Sequence, residues 1–313
     1  MNLVRKIEED IILNLRTHQI FASDFHQIYT QIRTRLITEG EKSLETLKEQ
    51  LDMLDQLSGF PLGKFIIEHK GLNGYWLNYT LTTPIAKSDA SDLERFFLEK
   101  APNTLAMRES FSIAQAIMQQ NIRNGIVIAS LPCGVMTNVL TLDFSNIKEM
   151  RLIGIDLDFE ALVYANQLAE DLKLDHEIEF YQYDAWKIDT ISECDIISSH
   201  GLNLYLDYES EIIELYEKLN RALKPGGLLI SSFLTPSPND SAESPWVMSE
   251  INEEDLRLQK LMIGDIARVK WRHYYTYDQV ANQLKQAGFK SIEFIPDKAG
   301  MRPTIIAQKG LVS

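Results

Sequence analysis

Apolar positions change their spacing partway along the chain. Before residue 58 they recur three or four positions apart, as at Leu3, Ile7 and Ile11, and this spacing predicts amphipathic helices. Glycine and proline interrupt the pattern between residues 59 and 74, and further helices are predicted near 91–100 and 107–121. The first 106 residues are therefore predicted to form an all-helical N-terminal subdomain.

From Gly125 onward, short β-branched runs alternate with helical patterns. Alternation of this kind favours βαβ units and a parallel sheet. The predicted strands are Ile126–Leu131, Leu152–Ile155, Ile178–Tyr181, Ile196–Ser199 and Leu228–Phe233, followed by Ser291–Ile295 and Pro303–Gln308. The last two are joined by a short turn that suits an antiparallel hairpin.

Together these patterns predict an α/β fold. Residues 107–313 are expected to form a Rossmann-like domain with a doubly wound, seven-stranded sheet, mostly parallel but closed by the antiparallel hairpin. A polar loop and helical stretch at about 236–275 are expected to form an insertion in this domain.

Charge narrows the range of partners. The net charge is −14, and residues 111–235 hold 19 acidic and 8 basic side chains. An acidic surface repels phosphate backbones, so a nucleic-acid partner is not expected. The same charge also serves solubility, and this simpler explanation stays open.

Composition favours a soluble cytoplasmic protein. No apolar run approaches the roughly 20 residues needed to span a bilayer, and acidic residues follow Met1 where a signal peptide would need an apolar stretch. Cys133 and Cys194 are too few for a disulfide framework or zinc cluster, and no metal site is expected.

Several motifs follow predicted strands. The turn after the first strand reads Ser130-Leu131-Pro132-Cys133-Gly134, and Asp156 ends the second strand 22 residues after Gly134. An acid at that place can accept hydrogen bonds from both hydroxyls of a ribose. Asp184 and Trp186 follow the third strand, where a carboxylate can meet an adenine amine and the indole can cover the ring.

The order of these motifs resembles class I S-adenosylmethionine-dependent methyltransferases. Lys224-Pro225-Gly226-Gly227 before the fifth strand and Gln286-Ala287-Gly288-Phe289 before the hairpin extend the resemblance over residues 107–313. It implies S-adenosylmethionine as cofactor. The positions predicted to bind the cofactor are Arg108, Ser130, Pro132, Cys133, Gly134, Asp156, Leu157, Asp184, Ala185, Trp186, Ser199 and His200.

The first turn departs from the family pattern. Ser130 replaces the usual acid, Pro132 the first glycine and Met136 the third, and only Gly134 is kept. Proline also lacks a backbone donor. Arg108, on the preceding helix, is a candidate partner for the cofactor carboxylate, with a solvated helix position as the alternative.

His200 ends the fourth strand, where ligands bind in open α/β sheets. It could serve as a general base, line the pocket or be structural. Asn203 follows it, and aromatic residues Tyr75, Trp76, Tyr79 and Trp246 are candidates for an acceptor pocket or for buried packing. Aromatic walls with few charges would favour an apolar or aromatic small molecule.

These features favour an S-adenosylmethionine-dependent methyltransferase acting on a small acceptor. The alternative is a degenerate methyltransferase fold that binds cofactor or a partner without catalysis, because the first turn is atypical. A nicotinamide-dependent oxidoreductase would need a glycine-rich first turn and would leave the final hairpin unexplained. The sequence does not decide whether the chain forms a homodimer.

Overall fold

A computed structural model describes residues 22–83, 90–174, 176–190, 193–271 and 273–311. The helical periodicity predicted at Leu3, Ile7 and Ile11 lies outside these residues. The α-helices are α1 (Ala22–Thr38), α2 (Leu44–Leu57), α3 (Pro61–His69), α4 (Gly74–Thr82), α5 (Asp92–Glu99), α6 (Pro102–Asn121), α7 (Thr137–Leu140), α8 (Phe159–Asp171), α9 (Glu209–Ala222), α10 (Glu253–Gln259) and α11 (Tyr277–Gln286). A π-helix, Lys260–Ile266, follows α10.

Seven strands form one sheet. They are β1 (Ile126–Ser130), β2 (Met150–Asp156), β3 (Glu177–Gln182), β4 (Cys194–Ser199), β5 (Leu223–Ser232), β6 (Phe289–Ile295) and β7 (Thr304–Lys309). Their order across the sheet is β3-β2-β1-β4-β5-β7-β6. The first five strands pair in parallel, and β7 runs antiparallel to both of its neighbours. The predicted doubly wound sheet with its final hairpin is confirmed.

Both faces of the sheet are covered by helices, which explains its continuous apolar runs. One core layer joins Ile153, Ile197 and Leu229 to side chains of α9 and α11. The opposite layer joins Ile128, Leu152, Ile196 and Ile230 to α6, α7 and α8. Alternate residues of each strand therefore face opposite layers.

Two local boundaries differ from the predictions. Helix α6 begins at Pro102 rather than near residue 107, because proline suits the first turn of a helix, where its missing donor is not needed. The segment Lys224-Pro225-Gly226-Gly227 forms the start of β5 rather than a turn before it, and the register of β5 against β4 shifts there.

The described residues fall into two compact units. One consists of residues 22–71, 90–95 and 257–269, and its helices bury Leu54, Leu57, Leu62 and Ile67. The other contains the whole sheet together with residues 72–83 and 96–106. The domain boundary predicted at residues 106 and 107 stays a prediction.

Candidate functional site

The turn after β1 folds back onto the end of β2. Cys133 donates its backbone N–H to the Ile155 carbonyl over 2.9 Å, and Gly134 donates to the Asp156 carboxylate over 2.7 Å. Met136 donates to the Cys133 carbonyl. Pro132, joined to Leu131 by a cis peptide bond, has no N–H to offer. The backbone donors of Cys133, Gly134 and Met136 are therefore used within the protein.

Met136 takes the place of a family glycine in this turn. Its backbone has φ +57°, a left-handed conformation that side-chain-bearing residues rarely adopt. Its buried side chain packs beside Gly154, where an added Cβ would lie 3.1 Å from the Met136 sulfur. The thioether thus fills the space below the turn, and this packing holds the unusual backbone in place.

Asp156 lies at the carboxyl end of β2. One carboxylate oxygen accepts from Gly134 N–H and the other from Asp158 N–H, over 2.7 and 2.9 Å. Burial raises the pKa of Asp156, although these hydrogen bonds act in the opposite direction. The Leu157 N–H is a further backbone partner, and lone-pair capacity remains on the carboxylate, so it can still accept hydrogen bonds from ribose hydroxyls.

The surface beyond Asp156 is accessible. Leu157 is 65% exposed and Tyr183, after β3, is 44% exposed. Asp184 accepts from the Trp186 N–H over 3.0 Å, which starts the short 3₁₀-helix Ala185–Thr190. Trp186 packs partly against the sheet core. The predicted adenine side therefore combines an exposed apolar residue with a carboxylate fixed by its own turn.

Helix α4 lies directly on the turn after β1. A Cβ added to Gly74 would come within 2.6 Å of the Gly134 Cα, so the two backbones are in contact and glycine is required. Asn73 caps α4 and donates to the Asp158 carboxylate over 3.4 Å. Thr137 at the start of α7 donates to the Asn78 side chain over 2.6 Å. These contacts attach α4 at the predicted methionine end.

Arg108 holds the other end of α4. Its guanidinium donates to the carbonyls of Thr80 and Thr83 over 2.9 and 3.3 Å. Burial lowers the pKa of Arg108 from its ordinary value, an effect that nearby Glu99 partly offsets. Its predicted contact with a cofactor carboxylate stays a prediction.

The aromatic residues predicted for an acceptor pocket form a cluster on α4. The rings of Tyr75 and Trp76 meet edge to face at 5.0 Å, as do those of Trp76 and Tyr79 at 5.4 Å. Tyr164 of α8 completes the cluster, 5.0 Å from Tyr75. Edge contacts of this kind stabilise the cluster as a unit.

Ser199 is the last residue of β4, and His200 follows it directly. Ser199 is buried, and its carbonyl accepts from the Ser231 hydroxyl. His200 Nδ1 lies 3.2 Å from the Ser232 hydroxyl, whereas the buried Nε2 has no hydrogen-bond partner among the described residues. Burial and the nearby Arg302 lower the pKa of His200 to about 4, so the ring is neutral at physiological pH. A base this weak is better suited to hydrogen bonding than to proton abstraction.

The other two predicted acceptor residues have structural contacts. The Asn203 amide donates to the Ser232 carbonyl over 3.0 Å and to the Tyr216 hydroxyl over 3.3 Å. Trp246 donates its indole N–H to the Thr235 hydroxyl over 2.9 Å and packs in a small apolar cluster with Met301. Their substrate-binding roles stay predictions.

Arg302 lies at the same end of the sheet as His200 and was not predicted from the sequence. It precedes β7, and because β7 is antiparallel, this leading end lies beside the carboxyl end of β5. Candidate site residues are usually sought just after parallel strands, whereas Arg302 comes just before an antiparallel one. The available signal was an arginine in a short apolar segment, Met301-Arg302-Pro303, which by itself is weak.

Neither a cysteine nucleophile nor a metal centre is indicated among the described residues of this site. Burial and the Asp156 charge raise the pKa of Cys133, so its thiol stays protonated and is a poor nucleophile. Within the described ranges, no group of three or more His, Cys, Asp or Glu side chains is placed to hold a metal ion. The same part of the chain contains no helix long and apolar enough to cross a membrane.

A sheet of this order with an acid ending β2 defines a class I methyltransferase fold. The model of a methyltransferase domain family matches residues 131–294, just over half of the 313 residues. The chain therefore belongs to this family, the class I S-adenosylmethionine-dependent methyltransferases. No protein of curated function matches the sequence.

Many solved structures are similar to this chain, among them the following two. One, described as a possible exported protein from Bordetella parapertussis, is 36% identical with a TM-score of 0.88, and the match covers 94% of this chain and 98% of that one. The S-adenosylmethionine-dependent methyltransferase SibL in its apo form is 12% identical with a TM-score of 0.51, covering 85% and 75%. The second likeness bears on the fold alone.

Proposed function

We propose that this protein transfers a methyl group from S-adenosylmethionine to a small acceptor with an apolar or aromatic body. The observation that carries the proposal is Asp156. It ends β2 beside the family turn, keeps hydrogen-bonding capacity on its carboxylate, and is followed by the exposed Leu157. Asp156 would hold the ribose, while Leu157, Asp184 and Trp186 would meet the adenine.

The methyl group of S-adenosylmethionine is already activated by its sulfonium, so the protein needs to supply mainly orientation for in-line displacement. Orientation of this kind is worth up to about 7–11 kcal/mol. The elements around the site are rigid, because hydrogen bonds fix the ends of β1, β2 and β4 and attach α4 to the start of α7. His200 would line the acceptor side as a neutral hydrogen-bonding group.

The aromatic cluster on α4 supports the choice of acceptor. Tyr75 is 37% exposed, and the cluster adjoins the turn through Gly74. A flat apolar molecule could pack against such rings. A cytoplasmic location and the exclusion of nucleic acid remain predictions from composition and charge.

Isothermal titration with S-adenosylmethionine and S-adenosylhomocysteine tests the cofactor assignment. We expect Asp156→Ala to weaken binding by roughly 1.5–3 kcal/mol, the usual loss for a hydrogen bond to a charged group. Asp171→Ala, at the exposed end of α8, is the matched control and should leave the dissociation constant unchanged. Absence of binding to the wild-type chain would refute the proposal.

One observation favours the second candidate, a fold that binds cofactor without catalysis. The backbone donors of Cys133 and Gly134 are used within the protein, and Gly74 covers the turn that approaches the methionine moiety. Release of S-adenosylhomocysteine over a panel of aromatic and apolar acceptors distinguishes the two candidates. Cofactor binding without turnover on the whole panel would favour the second.

A further inference from the structure

A second group of polar side chains lies at the carboxyl edge of the sheet, beyond β4 and β5. Ser232, the last residue of β5, pairs with Thr304 of β7. The ladder continues past the strand ends, because Phe233 N–H donates to the Pro303 carbonyl and Thr235 N–H to the Met301 carbonyl. Arg302 therefore points to the same face as Thr304 and Ser232.

Arg302 is a buried cation. It is 7% exposed, and among the described residues no acceptor within hydrogen-bonding distance of its guanidinium is found. Asp297 is the nearest buried carboxylate in the same loop, but its two oxygens accept from the Arg302 and Met301 backbone N–H groups over 2.6 and 3.2 Å. Asp297 attracts the Arg302 charge without accepting a hydrogen bond from its guanidinium in the described part of the chain. Because arginine stays protonated at any ordinary pH, its N–H donors remain available to a ligand.

His200 lies within electrostatic range of Arg302 and belongs to the same group. Its Nδ1 meets the Ser232 hydroxyl, and its Nε2 is buried without a partner in the described part of the chain. A neutral ring whose Nδ1 accepts from Ser232 carries its proton on Nε2, which is then a donor. Arg302 and His200 thus offer donors of the kind that bind anions.

From this juxtaposition we propose that Arg302 and His200 bind a carboxylate on the methyl acceptor. This inference rests on the proposed function, because it identifies the acceptor of that same site. A guanidinium presents two parallel N–H donors that match the two oxygens of a carboxylate. The acceptor would then be an apolar or aromatic acid, with its body against apolar surface and its carboxylate on Arg302.

Charge favours a carboxylate over a phosphate ester. Arg302 supplies one positive charge, which Asp297 already offsets in part, and His200 is neutral, so the site can balance at most a single negative charge on a ligand. A phosphate dianion would leave a buried negative charge without compensation, which is costly in a site of low dielectric. The site is therefore assigned to a monoanion.

Ligand-observed NMR titration with formate, acetate and benzoate tests the proposal on the full chain, with and without S-adenosylhomocysteine. Benzamide is the neutral analogue of benzoate. We expect Arg302→Gln to weaken benzoate binding about tenfold or more, Arg302→Lys to weaken it less, and benzamide binding to be the same in all variants. Arg33→Gln, at an exposed position on α1, is the control and should behave as wild type.

Thermal unfolding provides a readout that needs no ligand. Because the Arg302 guanidinium has no hydrogen-bond acceptor among the described residues, Arg302→Gln is expected to keep the melting temperature, whereas an arginine with a structural role would lower it. The proposal is overturned if no carboxylate binds, if benzoate and benzamide bind alike, if Arg302→Gln leaves the benzoate affinity unchanged, or if inorganic phosphate binds more tightly than benzoate.

The two proposals can fail separately. If the wild-type chain does not bind S-adenosylhomocysteine, the proposed function is refuted. The benzoate titration without cofactor still tests the role of Arg302. Conversely, normal S-adenosylhomocysteine binding with benzoate affinity independent of residue 302 refutes only the carboxylate assignment.

Discussion

Buried charged side chains lie at both ends of the parallel strands, and their hydrogen bonding differs between the two ends. At the amino-terminal edge, Asp195 is 8% exposed and accepts from Lys224 and the Val127 N–H, with Arg123 on its other oxygen. At the carboxyl edge, Arg302 is equally buried and finds no such acceptor among the described residues. The same strands border both charges, so the difference lies in the hydrogen-bond partners that surround each one.

A buried charge whose hydrogen bonds are all made within the protein stabilises the fold and needs no ligand. Asp195 joins the starts of β1, β4 and β5, and its hydrogen bonds bring its pKa below the ordinary value although burial acts to raise it. A charge without partners costs stability until something binds to it. Buried charge at the amino-terminal ends of the strands is therefore structural, whereas at the carboxyl ends the Arg302 guanidinium is the group that we propose to bind a ligand.

The largest effect should come from removing the charge at the amino-terminal edge. Asp195→Ala removes the acceptor of Lys224, Arg123 and the Val127 N–H. Since both cations are partly exposed and can be solvated, we expect a loss of about 2–4 kcal/mol in the free energy of unfolding, from the lost hydrogen bonds. Urea denaturation measures it. Glu149→Ala, an exposed residue at the same edge, should change stability by less than about 0.5 kcal/mol.

The dissociation constant of S-adenosylhomocysteine should be unchanged in folded Asp195→Ala. A weakened affinity there, at equal foldedness, would show that the two edges are coupled and would break the comparison.

A smaller effect is expected where α4 meets the turn after β1. Gly74→Ala places a methyl group 2.6 Å from the Gly134 Cα, and we expect a loss of roughly 1–3 kcal/mol, as for other overpacked contacts. Gly264→Ala is the matched control, because its added Cβ would lie 3.7 Å from the nearest atom. If Gly74→Ala and Gly264→Ala unfold at the same denaturant concentration, the contact between Gly74 and Gly134 does not constrain the fold.

The smallest effect is expected from pH. The pKa of His200 is about 4, below its ordinary value near 6.5, so the unfolded chain binds more protons between these values. Its contribution to stability is complete above pH 6.5 and is lost as pH falls toward 4. Between pH 7 and 5 the loss should reach about 2 kcal/mol at most.

His200→Gln should flatten this dependence, as measured by urea unfolding at both pH values. Asp195, whose pKa is lowered, should add nothing in that window, because its contribution is lost only in the acid range below the ordinary carboxyl pKa. Equal slopes in wild type and His200→Gln would mean that His200 titrates normally.

Periodicity and motif order predicted the sheet, because each βαβ unit carries its own local signal. The final hairpin was predicted from two short strands and the turn between them. The start of β5 was not predicted correctly, because Lys224-Pro225-Gly226-Gly227 looks like a turn. It joins the strand through pairing with β4, which no local pattern encodes.

The candidate site was only partly predictable. Asp156 and His200 follow strands and could be located by counting, whereas Arg302 precedes an antiparallel strand and reaches the same edge from the other direction. Gly74 was interpreted as an interruption of a helical pattern. Its reason is a contact with Gly134, sixty residues away in sequence, which only the folded chain reveals.

The attachment of α4 has a consequence for rates. If the methionine end of the cofactor lies beneath α4, cofactor cannot enter or leave until Gly74 separates from Gly134 and the Asn78–Thr137 hydrogen bond opens. Helix movements of this kind take microseconds to milliseconds or longer. Release of S-adenosylhomocysteine would then include this opening as a separate step, and Gly74→Ala, which weakens the contact, would exchange cofactor faster than wild type.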